Sequence, residues 1–70
     1  MNLAEALPKE IKRVRELQDE FKQLRDFPNV IVEPQIAMME RSINYAIKVS
    51  ASGDCIEMMK AFKDLEGYEG

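Results

Sequence analysis

The sequence predicts an all-α protein of three helices, a long N-terminal helix followed by an antiparallel helical hairpin, completed by dimerisation. Apolar residues recur at alternating steps of three and four along most of the chain, which is typical of helices that pack side by side. Prolines and glycines fall at the borders of these segments, and the only β-favouring run is short. We expect one domain over residues 1–70, with helices over about 8–26, 34–51 and 55–66 and an extended linker over 27–33.

The first helix is predicted from one apolar row that runs among charged residues. The row consists of Val14, Leu17, Phe21 and Leu24. Glu10 interrupts it toward the N-terminus. Because the row is narrow, this helix must bury one side against another helix. Opposite charges at helical spacing are expected to pair on the outer face, in Lys12/Glu16, Arg15/Asp19 and Lys22/Asp26.

Three residues set the expected ends of this helix. Asn2 occupies a capping position, so a helical turn can begin close to the N-terminus. Pro8 interrupts that turn, since proline costs about 3 kcal/mol in a helix interior, and we expect a kink or a separate short turn before a main helix that starts at Pro8. Pro28 disfavours a helical conformation of the residue before it, so the helix should end near Asp26.

The linker contains the run Val30-Ile31-Val32. One interpretation is an extended connector whose side chains cover one end of the helical core. The other is an edge strand that pairs with the same segment of a second subunit or with a target strand.

The second and third helices are predicted from their capping residues and apolar rows. Glu33-Pro34 suits a helix N-terminus, and Ser52-Gly53-Asp54 supplies a stop and a start for an antiparallel pair. The second helix has one apolar row of Ile36, Met39, Ile43, Ala46 and Ile47 and a neighbouring row of Met38, Tyr45 and Val49. The third is expected to turn Ile56, Met59, Phe62 and Leu65 inward, with Tyr68 folding back over its end.

The length of 70 residues makes self-association the expected source of additional stability. A chain of this size buries only about 60% of the surface that its unfolded form exposes. Cys55 is the single cysteine, so no internal disulfide forms, and without histidine the common zinc ligand sets are absent. We therefore expect a homodimer or a higher homo-oligomer, with no cofactor and no metal.

Two methionine pairs point to a second apolar surface. Adjacent residues on a helix lie about 100° apart, so both members of Met38-Met39 or of Met58-Met59 cannot face one core. Methionine also forms adaptable binding surfaces. The candidate interface residues are Val14, Leu17, Phe21, Leu24, Met38, Met39, Tyr45, Met58 and Met59.

Charge and composition argue against several classes of function. A net charge of −3 opposes nonspecific nucleic-acid binding, and the absence of histidine removes the ordinary general base near neutral pH. No apolar run is long enough to span a bilayer, so we expect a soluble cytoplasmic protein with no membrane partner. Cys55 follows a capping residue, where the helix dipole favours a thiolate, but no second cysteine is present to resolve a redox step.

The segments VEPQIAMMERSI (Val32 to Ile43) and SGDCIEMMKAFKDLEGYE (Ser52 to Glu69) resemble small uncharacterised proteins of temperate, Mu-like phages. That resemblance implies an accessory protein that binds a host protein.

The functional prediction is therefore a non-enzymatic protein-interaction module that binds and inhibits or modulates a host protein as a homo-oligomer. Two alternatives stay open. One is a nucleotide or nucleic-acid ligand held by the basic part of the first helix, through Lys9, Lys12, Arg13 and Arg15. The other is a structural subunit of a larger assembly.

Overall fold

The computed structural model describes residues 2–69 and has three helices, α1 (Leu3–Gln23), α2 (Glu33–Ser52) and α3 (Cys55–Glu66). A 3₁₀ turn, Leu24–Asp26, follows α1. Each helix packs against the other two, and the bundle measures 42 × 17 × 16 Å. The predicted all-α class is confirmed, whereas dimerisation stays a prediction. The domain predicted over residues 1–70 includes Met1 and Gly70, which lie outside the described residues.

None of the helices within residues 2–69 combines the length and the apolar character needed to cross a membrane.

The start of α1 corrects the prediction of a separate short turn before a main helix that starts at Pro8, whereas the kink expected there as the alternative stays a prediction. The helix begins at Leu3 and continues through Pro8, with the Asn2 side chain accepting a hydrogen bond from the Ala4 N–H at 2.9 Å. Leu7 is fully buried in the core. Burying a leucine contributes about 1.5–3 kcal/mol and a good cap about 1 kcal/mol, which together offset the proline cost of about 3 kcal/mol. Packing therefore overrides the local preference of proline.

The helix ends elsewhere follow the capping residues. Gly53 adopts a φ of 74°, the left-handed conformation that ends α2, and the Asp54 carboxylate accepts hydrogen bonds from the N–H groups of Ile56 and Glu57 at 3.0 and 3.2 Å. The bounds of α3 are as predicted, and α2 extends one residue further at each end. The helical conformation after α1 ends at Asp26, as expected, although its last turn is 3₁₀.

The connector between α1 and α2 buries only one of its three β-favouring residues. Val32 is buried, Val30 is exposed, and Ile31 is 87% exposed. The interpretation as a plug for the core therefore holds for Val32 alone. Residues 2–69 form no strand, and pairing of this segment with a second chain stays a prediction.

The core lies along the contact of all three helices. Its buried apolar members are Leu7, Val14, Leu17, Met39, Ile43, Ala46, Val49, Met58, Ala61 and Leu65. Ile47 was expected in the buried row of α2 and is exposed, while Val49 takes an inward position.

The buried stripe of α3 also differs from the prediction. Ile56 and Met59 are exposed, whereas Met58, Ala61 and Leu65 are buried and Phe62 is half-buried. The sequence of α3 fits two overlapping apolar stripes. The predicted stripe is the one with the larger side chains, and it is not the stripe that the structure buries. Ala61 is fully buried, so the face of α3 that carries it lies against the other helices.

The ion pairs on the helix surfaces also differ from those predicted. Within residues 2–69 the i,i+3 pairs are Arg13–Glu10, Lys22–Asp19 and Lys60–Glu57, and none of the three predicted i,i+4 pairs forms. Both spacings bring side chains together on a helix, so the sequence does not choose between them. Arg25 and Glu33 pair across the connector, with Nε and Oε1 2.6 Å apart.

Gln18 is a polar side chain inside the α1–α2 contact and is 1% exposed. Its Nε2 donates to the Ile36 carbonyl at 3.2 Å and to Glu40 Oε1 at 3.4 Å. Its Oε1 accepts no hydrogen bond from the described residues. These bonds fix the register of α1 against α2.

Arg13 holds the C-terminal end of α3 against α1. Its Nη1 donates to the Tyr68 carbonyl and its Nη2 to the Leu65 carbonyl, both at 2.9 Å. Glu10 orients the guanidinium through Nε at 3.1 Å, and its hydrogen bond raises the pKa of Arg13, against an opposing effect of burial. On the other side, the hydroxyls of Tyr68 and Ser42 lie 2.9 Å apart. We name this set, Glu10, Arg13, Ser42, Leu65 and Tyr68, the α3 clamp.

Replacing the clamp arginine should destabilise the fold. The Arg13 side chain is 41% exposed, so we discount its charged hydrogen bonds for solvent screening and expect Arg13→Met to lower the free energy of unfolding by about 1 kcal/mol. Urea unfolding followed by circular dichroism measures this change. Arg15→Met removes an exposed arginine of the same helix and should stay within about 0.5 kcal/mol of the native chain. Equal stability of the two variants would contradict the clamp.

Candidate functional site

The α3 clamp fixes the end of α3 at the middle of the bundle. Arg13 is the middle residue of α1, and Ser42 is the tenth of the 20 residues of α2. The 12 residues of α3 span about 18 Å, whereas α1 and α2 each span about 30 Å. Among the described residues, one half of the bundle therefore has three helices, and the half nearer the connector has two.

The two-helix half leaves an apolar surface where a longer α3 would lie. Leu17 follows Arg13 by four residues and Leu24 follows Leu17 by seven, so both continue the Arg13 side of α1 beyond the clamp. On α2, Met38 lies one turn before Ser42 and is 53% exposed. We name this surface the notch and define it by Leu17, Phe21, Leu24 and Met38.

Two concave regions border the notch. One, of about 130 Å³, is lined on α1 by Leu17, Glu20, Phe21 and Leu24. The other, of about 360 Å³, lies between α2 and the end of α3 and is lined by Met38, Arg41, Ser42, Tyr45, Asp64 and Tyr68. Both are open to solvent, and both combine apolar walls with charged groups at the rim. Such surfaces suit the binding of side chains from another macromolecule.

Tyr45 and Glu57 join α2 to α3 at the edge of the larger concavity. The Tyr45 hydroxyl donates a hydrogen bond to Glu57 Oε2. This bond raises the pKa of Tyr45, and desolvation and the charges of Glu57, Asp54 and Asp64 raise it further. The phenol stays neutral and keeps its ring beside the apolar wall.

The structure divides the predicted interface residues into two groups. Val14, Met39 and Met58 are buried inside a single copy, so they are not free to meet a partner, whereas Leu17 is 7% exposed and lines the bottom of the smaller concavity. Those that remain accessible are Phe21, Leu24, Met38, Tyr45 and Met59. In both methionine pairs one residue is buried and its neighbour is exposed, as the helical spacing predicts.

The four candidate phosphate-binding residues do not form one patch. Lys9, Lys12 and Arg15 are exposed, and Arg13 donates its hydrogen bonds to Glu10 and to the end of α3. Arg13 and Arg15 point about 160° apart around α1. A single phosphate group cannot contact both.

Several residues of the site were not singled out from the sequence. Arg41 and Asp64 carry the rim charges of the larger concavity. The sequence does contain a signal for the α3 clamp. Glu10 occupies an apolar position of the predicted row on the first helix, and Arg13 follows it by three residues. That spacing is typical of a pair that places charge at the edge of a helix contact.

Cys55 lies at the opposite end of the bundle from the notch. It is exposed and lines a shallow concavity of about 610 Å³ with Asn2, Leu3, Ala4, Ser50, Gly53 and Met58. The thiol is therefore separated from the residues of the α3 clamp and of the notch.

Comparison with known proteins adds no relative. No protein-family model matches the chain, and no curated protein or solved structure matches it either.

The bond between Tyr45 and Glu57 can be tested by titration. In a Tyr68→Phe background Tyr45 is the only tyrosine, and its ionisation is followed by absorbance near 295 nm. The native glutamate should hold the pKa above its ordinary value, and Glu57→Gln should lower it, because a neutral amide no longer disfavours the phenolate. The raised pKa means that the bond stabilises the fold below the ordinary tyrosine pKa and that this stability is lost as the pH rises through the folded-state pKa. Identical titration curves of the two proteins would contradict the bond.

Proposed function

We propose that this protein is a non-enzymatic protein-interaction module that acts by binding another protein stoichiometrically through the notch. The observation that carries the proposal is the end of α3 at Glu66, beyond which no helix formed by residues 2–69 covers the apolar side chains of α1 and α2. Met38 is 53% exposed and Leu24 37% exposed on this surface. Exposed apolar surface that continues a helical core is typical of sites that bind another polypeptide.

The connector extends the same end of the molecule with further apolar side chains. Phe27 and Ile31 are both exposed, and they follow Leu24 closely in the chain. A partner that covers the notch can therefore also reach the connector. Together they offer a larger apolar area than the notch alone.

The target in this proposal is a host protein of a temperate phage. Support for it comes from the resemblance of Val32–Ile43 and Ser52–Glu69 to small Mu-like phage proteins. Proteins of this size carry out such roles by occupying a surface of the target, which requires an accessible apolar face and no reactive group.

Self-association remains part of the proposal and has a surface of its own on α3. Ile56 and Met59 lie three residues apart on one side of α3, and both are exposed. They point away from the clamp and leave the notch free. A second copy that meets α3 there is compatible with partner binding.

The geometry of the basic residues favours a protein target over a nucleotide or nucleic acid. Arg13 uses its donors within the fold, and Arg15 points to another side of α1. A phosphate site needs several donors that converge on one point.

A substitution in the notch should remove partner binding. Met38→Asp places a charge on the apolar surface, whereas Ile47→Asp makes the same change at a residue that is 46% exposed and about 180° away around α2. Affinity capture from host lysate by the immobilised native protein should recover a stoichiometric partner, with Met38→Asp reducing recovery at least about tenfold and Ile47→Asp leaving it unchanged. Circular dichroism of both variants checks that they fold.

Two results would contradict the proposed function. Equal loss of the partner in both variants would remove the notch as the binding surface. Capture of no stoichiometric protein by the native chain would remove the proposal itself.

A further inference from the structure

We infer that the notch binds a short basic amphipathic helix of the partner protein, laid along α1 and α2 as a continuation of α3. This inference rests on the proposed function, since it names the part of the partner that the notch takes.

The length of the notch sets the size of the occupant. With 12 residues, α3 is 20 − 12 = 8 residues shorter than α2 and 21 − 12 = 9 residues shorter than α1. At about 1.5 Å per residue, the open stretch is about 12–14 Å, which corresponds to two to three helical turns. A stable interface between two globular faces buries about 800 Å² on each partner, more than a stretch of this length presents. A single short helix fits it better.

The floor of the notch sets the apolar side of that helix. Leu17, Phe21 and Leu24 follow one another by one helical turn on α1 and line the smaller concavity, and Met38 lines the larger one on α2. A helix that lies in the groove between two helices presents apolar residues at positions i, i+3 or i+4, and i+7. The exposed methionine can adapt to apolar side chains of different shape.

The charges around the notch set the polar side of the occupant. Glu20 lies at the α1 edge, and Asp64 lies at the end of α3. Glu66 and Glu69 are close enough to Arg13 for their charges to raise its pKa. The C-terminal end of α3 also carries the negative pole of the helix dipole. Lysine or arginine residues beside the apolar stripe of the occupant would meet this charge.

The cations on the same rim do not balance these carboxylates. Arg13 is paired with Glu10, and Lys63 lies in the last turn of α3, which leaves Arg41 and Lys63 against Glu20, Asp64, Glu66 and Glu69. A second copy of this chain would present the same acidic rim to itself in a two-fold dimer. Like charges that face each other across an interface are unfavourable, so the notch is better matched to a basic segment than to another notch.

The test uses two labelled model peptides of about 12 residues, roughly three helical turns. One has leucine at helical a/d spacing with lysine elsewhere, and the other has glutamate in place of every lysine. Fluorescence anisotropy with the full chain at physiological salt measures the affinity for each. We expect one basic peptide per chain, bound at least about tenfold more tightly than the acidic peptide, because the charges of the rim favour one sign.

Matched variants locate the binding. Leu24→Lys should weaken the basic peptide at least about tenfold, and Ile47→Lys, on the other side of α2, should leave it unchanged. The pair of exposed changes Glu20→Lys and Asp64→Lys should reduce or reverse the preference for the basic peptide. The last variant leaves the apolar floor intact and therefore separates charge recognition from folding.

Several results would overturn the inference. Equal binding of both peptides, no binding of the basic peptide up to about 1 mM, or insensitivity to Leu24→Lys would each do so. Self-association in sedimentation that is lost in Leu24→Lys would assign the notch to a second copy instead. If the peptides fail while capture of a partner protein still depends on Met38, the proposed function survives and only the occupant is wrong.

Discussion

The guanidinium of Arg13 anchors the end of the third helix against the middle of α1. It donates to two carbonyls at the C-terminal end of α3, and the hydroxyl of Tyr68 reaches Ser42 on α2 from the same place. The last carbonyls of a helix have no hydrogen-bond donor within that helix, so a cation that donates to them stabilises the helix end. Because Arg13 and Ser42 lie at the middle of their helices, α3 covers only half of the bundle. The notch is the consequence.

The sequence suggests that the exposed apolar surface is the row on α1, whereas the structure exposes apolar side chains of α1 and α2 beyond the end of α3. The row on α1 looks like an interface between subunits, but Val14 and Leu17 are enclosed within one copy. Three helices are enough to bury that row where α3 is present. Beyond the clamp, the part of the chain that the structure describes contributes two helices, and Leu24 and Met38 stay accessible. The proposed binding surface is therefore a product of helix length.

Local signals predict the helices well where capping chemistry is strong. Gly53 and Asp54 define the turn between α2 and α3, and Pro34 lies in the first turn of α2, where proline is tolerated. Pro8 misleads, because the burial of Leu7 outweighs one missing hydrogen bond. The rotation of α3 is not predicted, because the buried face carries Met58 and the small Ala61 in place of the larger Ile56 and Met59.

The candidate site is less accessible to prediction, because it depends on how far α3 reaches along its neighbours. Met38 was identified from its pairing with Met39, and Leu24 from the row on α1. Arg41 and Asp64 belong to the site only through the docking of α3 against α2, which no spacing in the sequence encodes. Gln18 likewise acquires its role from the approach of Ile36 and Glu40.

Native-state amide hydrogen exchange tests most directly whether α3 covers one half of the bundle and leaves the other half with two helices. Protection reflects the free energy of local opening, which is lower where fewer helices cover a segment. We expect the slowest exchange in residues 7–14 of α1 and 43–49 of α2, with exchange at least about tenfold faster in residues 18–23 and 35–40. Uniform protection along the full lengths of α1 and α2 would contradict it, since the two-helix half would then be as well covered as the rest.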